Sequence, residues 1–170
     1  QWPVRFHTPN ALHCRFIDQR VAETLKKAGF ETIRLGLEFG SEEKQRDTGG
    51  KVRWEHFEKA MNHLLSAGFQ PHQLGAYVLA AYPGQKTESL LETCRRVNQL
   101  ACPIRLALYS PIPGTADFNQ DYSAWRFDPR EDPVFQNPSL APYRTPDFPL
   151  EQFRQVELQV KAWNRELLDA

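Results

Sequence analysis

The sequence predicts an α/β protein: a partial (β/α) barrel with about four parallel strands, followed by a Pro-rich extension and a C-terminal helix. Three observations predict it. The apolar period switches repeatedly between strand and helix values. Two helical stretches close on the same pair, Gly29-Phe30 and Gly68-Phe69, each just before a strand. The strands alternate between an apolar face and one that mixes charge, glycine and aromatic hydroxyls.

In chain order, Val4 to Thr8 reads as a strand. Asp18 to Ala28 reads as a helix with Ile17, Val21, Leu25 and Ala28 on one face. Thr32 to Glu38 is a strand. Arg53 to Ala67 is a helix with Phe57, Met61, Leu64 and Leu65 inward. Gln73 to Ala81 is a strand, Thr87 to Leu100 a helix with Leu90, Leu91, Cys94 and Val97 inward, and Pro103 to Tyr109 a strand. This alternation with short connections makes the sheet parallel and its crossovers right-handed. From Pro111 to Pro149 prolines are dense and periodicity is lost, yet Phe118, Tyr122, Trp125, Phe127, Phe135 and Tyr143 give the segment anchors. Glu151 to Leu168 is a helix docking through Phe153, Val156, Val160, Trp163 and Leu167.

The chain has 170 residues, whereas a complete eight-stranded barrel takes roughly 250. Part of the barrel is expected to be missing, and strand-like residues almost at Gln1 fit a piece of a longer chain. A formal net charge of zero argues against nucleic-acid binding. Lys26-Lys27 and Arg95-Arg96 read as solvated helix faces. No apolar run suits a bilayer or a signal peptide, so no membrane association is expected. Cys14, Cys94 and Cys102 are scattered, which fits a reducing, cytoplasmic setting. No metal site is expected, since neither His13-Cys14 nor the heptad pair His56 and His63 supplies enough ligands. Ser41 followed by Glu42-Glu43 is helix-start chemistry. Thr48-Gly49-Gly50-Lys51 lacks the spacing of a phosphate loop.

The strand faces carry the functional signal. Ile33, Leu35 and Leu37 oppose Arg34, Gly36 and Glu38, and Ile104, Leu106 and Leu108 oppose Arg105, Ala107 and Tyr109. Arg5 and His7 oppose Val4 and Phe6, and Gly75 and Tyr77 oppose Ala76 and Val78. A sheet covered on both sides would be apolar on both. The polar stripe therefore suits the inside of a wide barrel around a polar ligand; on periodicity alone it suits solvent on an open sheet equally well. Ligands of α/β architectures sit at the carboxyl ends of strands. Those ends are Thr8-Pro9-Asn10, Glu38-Phe39-Gly40-Ser41, Tyr82-Pro83-Gly84-Gln85 and Ser110 to Thr115.

At these residues the sequence resembles the radical S-adenosylmethionine (SAM) proteins. The resemblance rests on the order of FHTPNALHCRFID (6–18), TIRLGLEFG (32–40), TGGKV (48–52), YPGQKTES (82–89) and YSPIPGT (109–115), with EDPVFQNPSL (131–140) after them. It is nearest the subgroup whose members often carry an N-terminal cobalamin-binding domain. It implies a [4Fe–4S] cluster held by a CxxxCxxC loop, SAM bound to that cluster, and a 5′-deoxyadenosyl radical. The sequence contains no CxxxCxxC, so the cluster ligands are absent here. The resemblance makes residues 1–110 the C-terminal half of the barrel, with strands corresponding to its third through sixth; 111–149 form the Pro- and aromatic-rich segment and 150–170 the final helix.

Carried over position by position, the resemblance implies cofactor contacts from Arg34, Glu38, Gly75, Tyr82, Pro83, Gly84, Ser110, Pro113 and Gly114. With the polar stripe it puts Arg5, His7, Thr8, Asn10, Tyr77, Arg105 and Tyr109 in a substrate pocket. Tyr82 stands where the family has Leu. The expected reading is a fragment of a radical SAM iron–sulfur oxidoreductase or transferase, silent alone, whose partner is the missing N-terminal half of the barrel and whose parent uses SAM, the [4Fe–4S] cluster and, in the cobalamin-fused subgroup, cobalamin. Two rivals stand beside it: a non-enzymatic module, such as a homodimer paired through an exposed edge strand, and a small (β/α) enzyme acting on a phosphorylated metabolite.

Overall fold

In the computed structural model, residues 4–47, 52–115, 118, 126–128, 130–137, 140 and 148–169 are described. Strand β1 (Phe6–His7) pairs in parallel with β3 (Phe30–Thr32). Strand β2 (Leu12–His13) pairs with β4 (Leu35–Glu38), which continues in parallel to β5 (Ala76–Ala80) and β6 (Ile104–Leu108). The larger sheet has the order β2-β4-β5-β6. Four strand positions therefore follow one another, as expected of a partial (β/α) barrel, but the first two are each broken in two.

The expected uninterrupted strands over 4–8 and 32–38 need correcting, and hydrogen bonding gives the reason. The Thr8 hydroxyl accepts from the Arg34 amide at 2.7 Å, while the Leu12 amide donates to the Arg34 carbonyl at 2.7 Å. A side chain thus stands in for a ladder partner, and residues 8–11 loop out between β1 and β2. Similarly, β5 begins at Ala76 because Pro71–Gln73 forms a 3-10 turn with proline at its start.

The helices are α1 (Gln19–Lys27), α2 (Glu42–Asp47), α3 (Trp54–Ser66), α4 (Thr87–Gln99) and α5 (Leu150–Asp169). The Asp18 carboxylate caps α1 by accepting from the Val21 amide at 2.8 Å. Just past their C-caps, α1, α3 and α4 each turn left-handed, at Gly29 (φ 85°), Gly68 (φ 90°) and Ala101 (φ 52°).

The outward sheet face and the helices form one core. Ile33, Leu35, Leu37, Ala76, Val78, Ala80 and Ile104 are buried beneath Phe57, Met61 and Leu64 of α3 and Leu90, Cys94 and Val97 of α4. Each fully buried large apolar side chain contributes about 1.5–3 kcal/mol. On α1 the expected face is corrected: Ala22 is fully buried, whereas Val21 is 37% exposed and Ala28 is exposed. Helix α5 packs on α4 and β6 through Val156 and Val160. Its Asn164 accepts from the Ile104 amide and donates to the Ile104 carbonyl, both at 2.8 Å, closing the free edge of β6. No described helix is long and apolar enough to cross a membrane.

Candidate functional site

The carboxyl ends of β4, β5 and β6 meet in a row of aromatic rings. Phe39 lies edge-on to Tyr82 at 5.2 Å between centroids, and Tyr82 edge-on to Tyr109 at 4.8 Å. The Lys44 ammonium stands 5.8 Å above the Tyr82 ring. Strand β4 finishes on Glu38 (φ 63°) and Ala81 (φ 62°) directly follows β5, both non-glycine residues with positive φ. Such conformations persist where the surroundings over-determine them, and they cluster at functional ends of folds. The Glu38 side chain is exposed at this mouth.

The turn after β5 is held by Gln85, which is buried. Its side-chain amide donates to the Leu79 carbonyl at 3.0 Å, and its carbonyl oxygen accepts from the Tyr82 amide at 3.3 Å. Pro83 is half-buried and Gly84 takes φ 68°, with room above it up to the Lys44 ammonium. After β6, the Ser110 hydroxyl donates to the Gln136 carbonyl at 2.6 Å, and the Gln136 side chain donates to the Pro111 carbonyl at 3.0 Å. The 3-10 turn Pro133–Gln136 thereby folds back on the post-β6 loop, with Phe135 stacked on Phe127 at 5.2 Å. Pro113 is exposed, and a Cβ at Gly114 (φ 83°) would meet nothing within 4 Å.

Deeper on the inner face the register aligns His13, Gly36, Tyr77 and Arg105 across the sheet. Ala11 covers Gly36, where a Cβ would stand 3.3 Å from the Ala11 methyl. The Tyr77 hydroxyl donates to the Pro9 carbonyl at 3.1 Å, tying β5 to the loop between β1 and β2. Arg34 lies flat over Gly75, with Cδ, Nη1 and Nε at 3.1, 3.2 and 3.4 Å from where a Cβ would be, and donates from Nη1 to the Leu74 carbonyl at 3.1 Å. Burial, and then the positive charge of Arg105, hold the Arg34 pKa below its ordinary value; Tyr77 and Cys102 oppose this.

The sequence-derived site residues therefore fall into three places. Glu38, Tyr82, Pro83, Gly84, Ser110, Pro113, Gly114 and Tyr109 gather at the carboxyl ends. Arg34, Gly75, Tyr77 and Arg105 sit further down the wall, so Arg34 is turned to the start of β5 and away from the loop that Glu38 begins. The remaining four lie along the edge strand. Arg5 pairs with Glu31 at 3.1 Å in the open, and His7 Nδ1 lies 2.9 Å from Thr32 Oγ1. Thr8 is buried with its hydroxyl spent on the backbone, and Asn10 is exposed.

Sequence reasoning placed Phe39 and Gln85 in the strand-end segments without giving either a role, and missed Lys44 and Gln136; for Gln85, a long amide side chain three residues past a strand-end tyrosine was the available signal. Thr48 to Lys51 of the TGGKV segment, with Tyr122, Trp125 and Tyr143, lie outside the described residues.

The three cysteines are buried, and burial raises each thiol to about 12. Protonated core thiols of this kind do not fit the thiolate ligand set of an iron–sulfur cluster. Among the described residues no group of three or more His, Cys, Asp or Glu stands close enough to hold a metal ion.

Comparison with known proteins identifies the architecture. Among curated proteins none matches the chain. Among solved structures, coproporphyrinogen III oxidase (HemN) from Escherichia coli, a radical SAM enzyme, superposes with a TM-score of 0.58 at 19% identity, over 91% of this chain and 31% of that one. That likeness speaks for the fold, and the chain spans less than a third of that enzyme's length. The family model described as the Radical SAM superfamily matches residues 4–97, more than half of the sequence, from the edge strand through most of α4. With parallel strands, helices on one face and a polar wall on the other, the chain belongs to the radical SAM superfamily.

Proposed function

We propose that this chain supplies the SAM-adenosine and substrate pocket of a radical SAM iron–sulfur enzyme and is catalytically silent alone. The observation that carries the reading is the meeting of Phe39, Tyr82 and Tyr109 past the carboxyl ends of three adjacent parallel strands, with Glu38 exposed at the end of β4 and left-handed backbone at Glu38 and Ala81. The residues fit SAM: an exposed carboxylate at Glu38 suits hydroxyl or ammonium donors, and the Tyr82 and Tyr109 rings suit a flat, partly apolar base. When bound beside a cluster, SAM supplies a carbon radical. This chain's own residues orient the nucleoside and wall off water.

The silence follows from the ligand set. CxxxCxxC is absent from the sequence, and the cysteines present are protonated core residues. The reading accordingly includes a longer parent that brings the N-terminal half of the barrel, a cytoplasmic setting that keeps thiols reduced, and a soluble assembly. A cobalamin domain in that parent rests on the sequence resemblance alone. Pairing of two copies through the open edge of β1 and β2 is the second arrangement, favoured by Val4 and Phe6 being 62% and 44% exposed there.

Titration of the isotope-labelled chain with SAM tests the pocket. Saturable amide shifts confined to 38–41, 79–85 and 107–114 are expected, together with no [4Fe–4S] absorbance after anaerobic reconstitution. Absence of SAM shifts at the strand ends, or a stable cluster with SAM cleavage, overturns the reading.

A further inference from the structure

The inner wall carries two cations that nothing in the described chain neutralises. The ion pairs of the described residues involve other side chains, and neither Arg34 nor Arg105 has a carboxylate within ion-pair distance among them. The other interior-facing arginine of the sequence reading, Arg5, is paired with Glu31. Arg34, between β3 and β4, and Arg105, in β6, flank β5 on its two sides, and the missing side chain at Gly75 lets the Arg34 guanidinium lie over residue 75. They are close enough for the charge of Arg105 to act on Arg34.

The arrangement is built. A Cβ at residue 75 would press on three atoms of Arg34, and the Leu74 carbonyl fixes one end of the guanidinium. Among the described residues the side-chain hydrogen bonds of Arg34 come from Nη1, to the Ile33 and Leu74 carbonyls. A guanidinium has five N–H donors, so its other edge still has donors to offer. Tyr77, in register with Arg105, forms a half-buried aromatic flank whose hydroxyl is already committed to Pro9. Arg34 is half-buried and Arg105 exposed, so an anion from solvent has access to both, and no described carboxylate occupies their donors.

We infer that Arg34 and Arg105, flanked by Tyr77, form a carboxylate-binding subsite on the barrel wall, and that the substrate of this pocket carries a carboxylate. The inference rests on the pocket reading above. A carboxylate is favoured over a phosphate because guanidinium forks match its planar pair of oxygens. Phosphate sites on α/β folds are built from backbone amides at helix starts and turns, and this place is on the sheet wall beside the starts of β5 and β6. It is also distinct from the strand-end mouth: Tyr77 and Arg105 are the second residues of β5 and β6, whereas Tyr82 and Tyr109 follow those strands.

The test uses the whole 170-residue chain, isotope-labelled, at low ionic strength, with glutarate, inorganic phosphate and SAM as separate probes. Glutarate is expected to give saturable shifts of the arginine Nε–H signals of Arg34 and Arg105 and of the Tyr77 amide. Arg105→Gln is expected to weaken glutarate at least tenfold, whereas Arg95→Gln, on the solvated face of α4, leaves it unchanged. Glutarate shifts that do not saturate, that persist in Arg105→Gln, or that phosphate reproduces at lower concentration overturn the subsite. SAM shifts at 38–41 and 79–85 that survive Arg105→Gln keep the pocket reading standing if the subsite falls. Their absence beside intact glutarate binding removes the pocket reading and leaves a carboxylate site.

Discussion

Gly40 and Thr93 are in contact across 53 residues of sequence: the Gly40 amide donates to the Thr93 hydroxyl at 3.2 Å, and a Cβ on residue 40 would stand 2.6 Å from the same oxygen. This pins the loop after β4 to α4, and Arg96 of the same helix donates to the Gly40 carbonyl at 3.0 Å. Gly40→Ala is therefore expected to cost about 1–3 kcal/mol by overpacking. A urea melt checks it, and Thr93→Ala in the same chain should recover part of the loss, because two of the three contacting atoms disappear.

Left-handed backbone at non-glycine residues yields a paired prediction. Ala101 ends α4 where Gly29 and Gly68 end α1 and α3. Ala101→Gly should stabilise the chain by about 0.5–1 kcal/mol. Glu38→Gly should give a similar rise in Tm but weaken SAM, since it removes the carboxylate at the mouth. Thermal melts and SAM titrations of both variants, run together, separate the strain from the ligand contact.

Alkali should destabilise the fold. The thiols of Cys14, Cys94 and Cys102 go from an ordinary 9.0 to about 12 on burial. Between these values the unfolded chain has lost protons that the folded chain keeps. Stability therefore falls as pH rises above 9, by at most about 1.4 kcal/mol per pH unit for each thiol. Urea midpoints from pH 8 to 11 measure the slope, and Cys94→Ala should flatten it by one thiol's share.

Asn164→Ala should leave the Ile104 amide and carbonyl without their protein partner at the edge of β6. The expected cost is about 1–3 kcal/mol. Sedimentation should also show concentration-dependent association, because a bare strand edge invites pairing.

Much of this was legible in the sequence. Helical period located α3 and α4 to within a residue or two, since Phe57, Met61, Leu64, Leu90 and Val97 are large and all fully buried. Strand alternation separated the buried Leu35 and Leu37 from Glu38. What stayed hidden depends on side chains doing backbone work or on distant fits. The break between β1 and β2 turns on one Thr8 hydroxyl. The direction of Arg34 depends on an empty Cβ position at Gly75, forty residues away by the bond to Leu74. The third helix ending escaped notice because alanine occupies the place glycine fills in the other two.

The amide of Asn164 acts on Ile104 as a neighbouring strand would, yet it is made 60 residues later. At ribosomal rates of roughly 5–20 residues per second, that is an interval of about 3–12 s. Throughout it the newly made β6 waits with its outer rim unsealed. Nascent chains crowded on one messenger thus meet at their stickiest moment, and slowing translation beyond α4 lengthens that exposure.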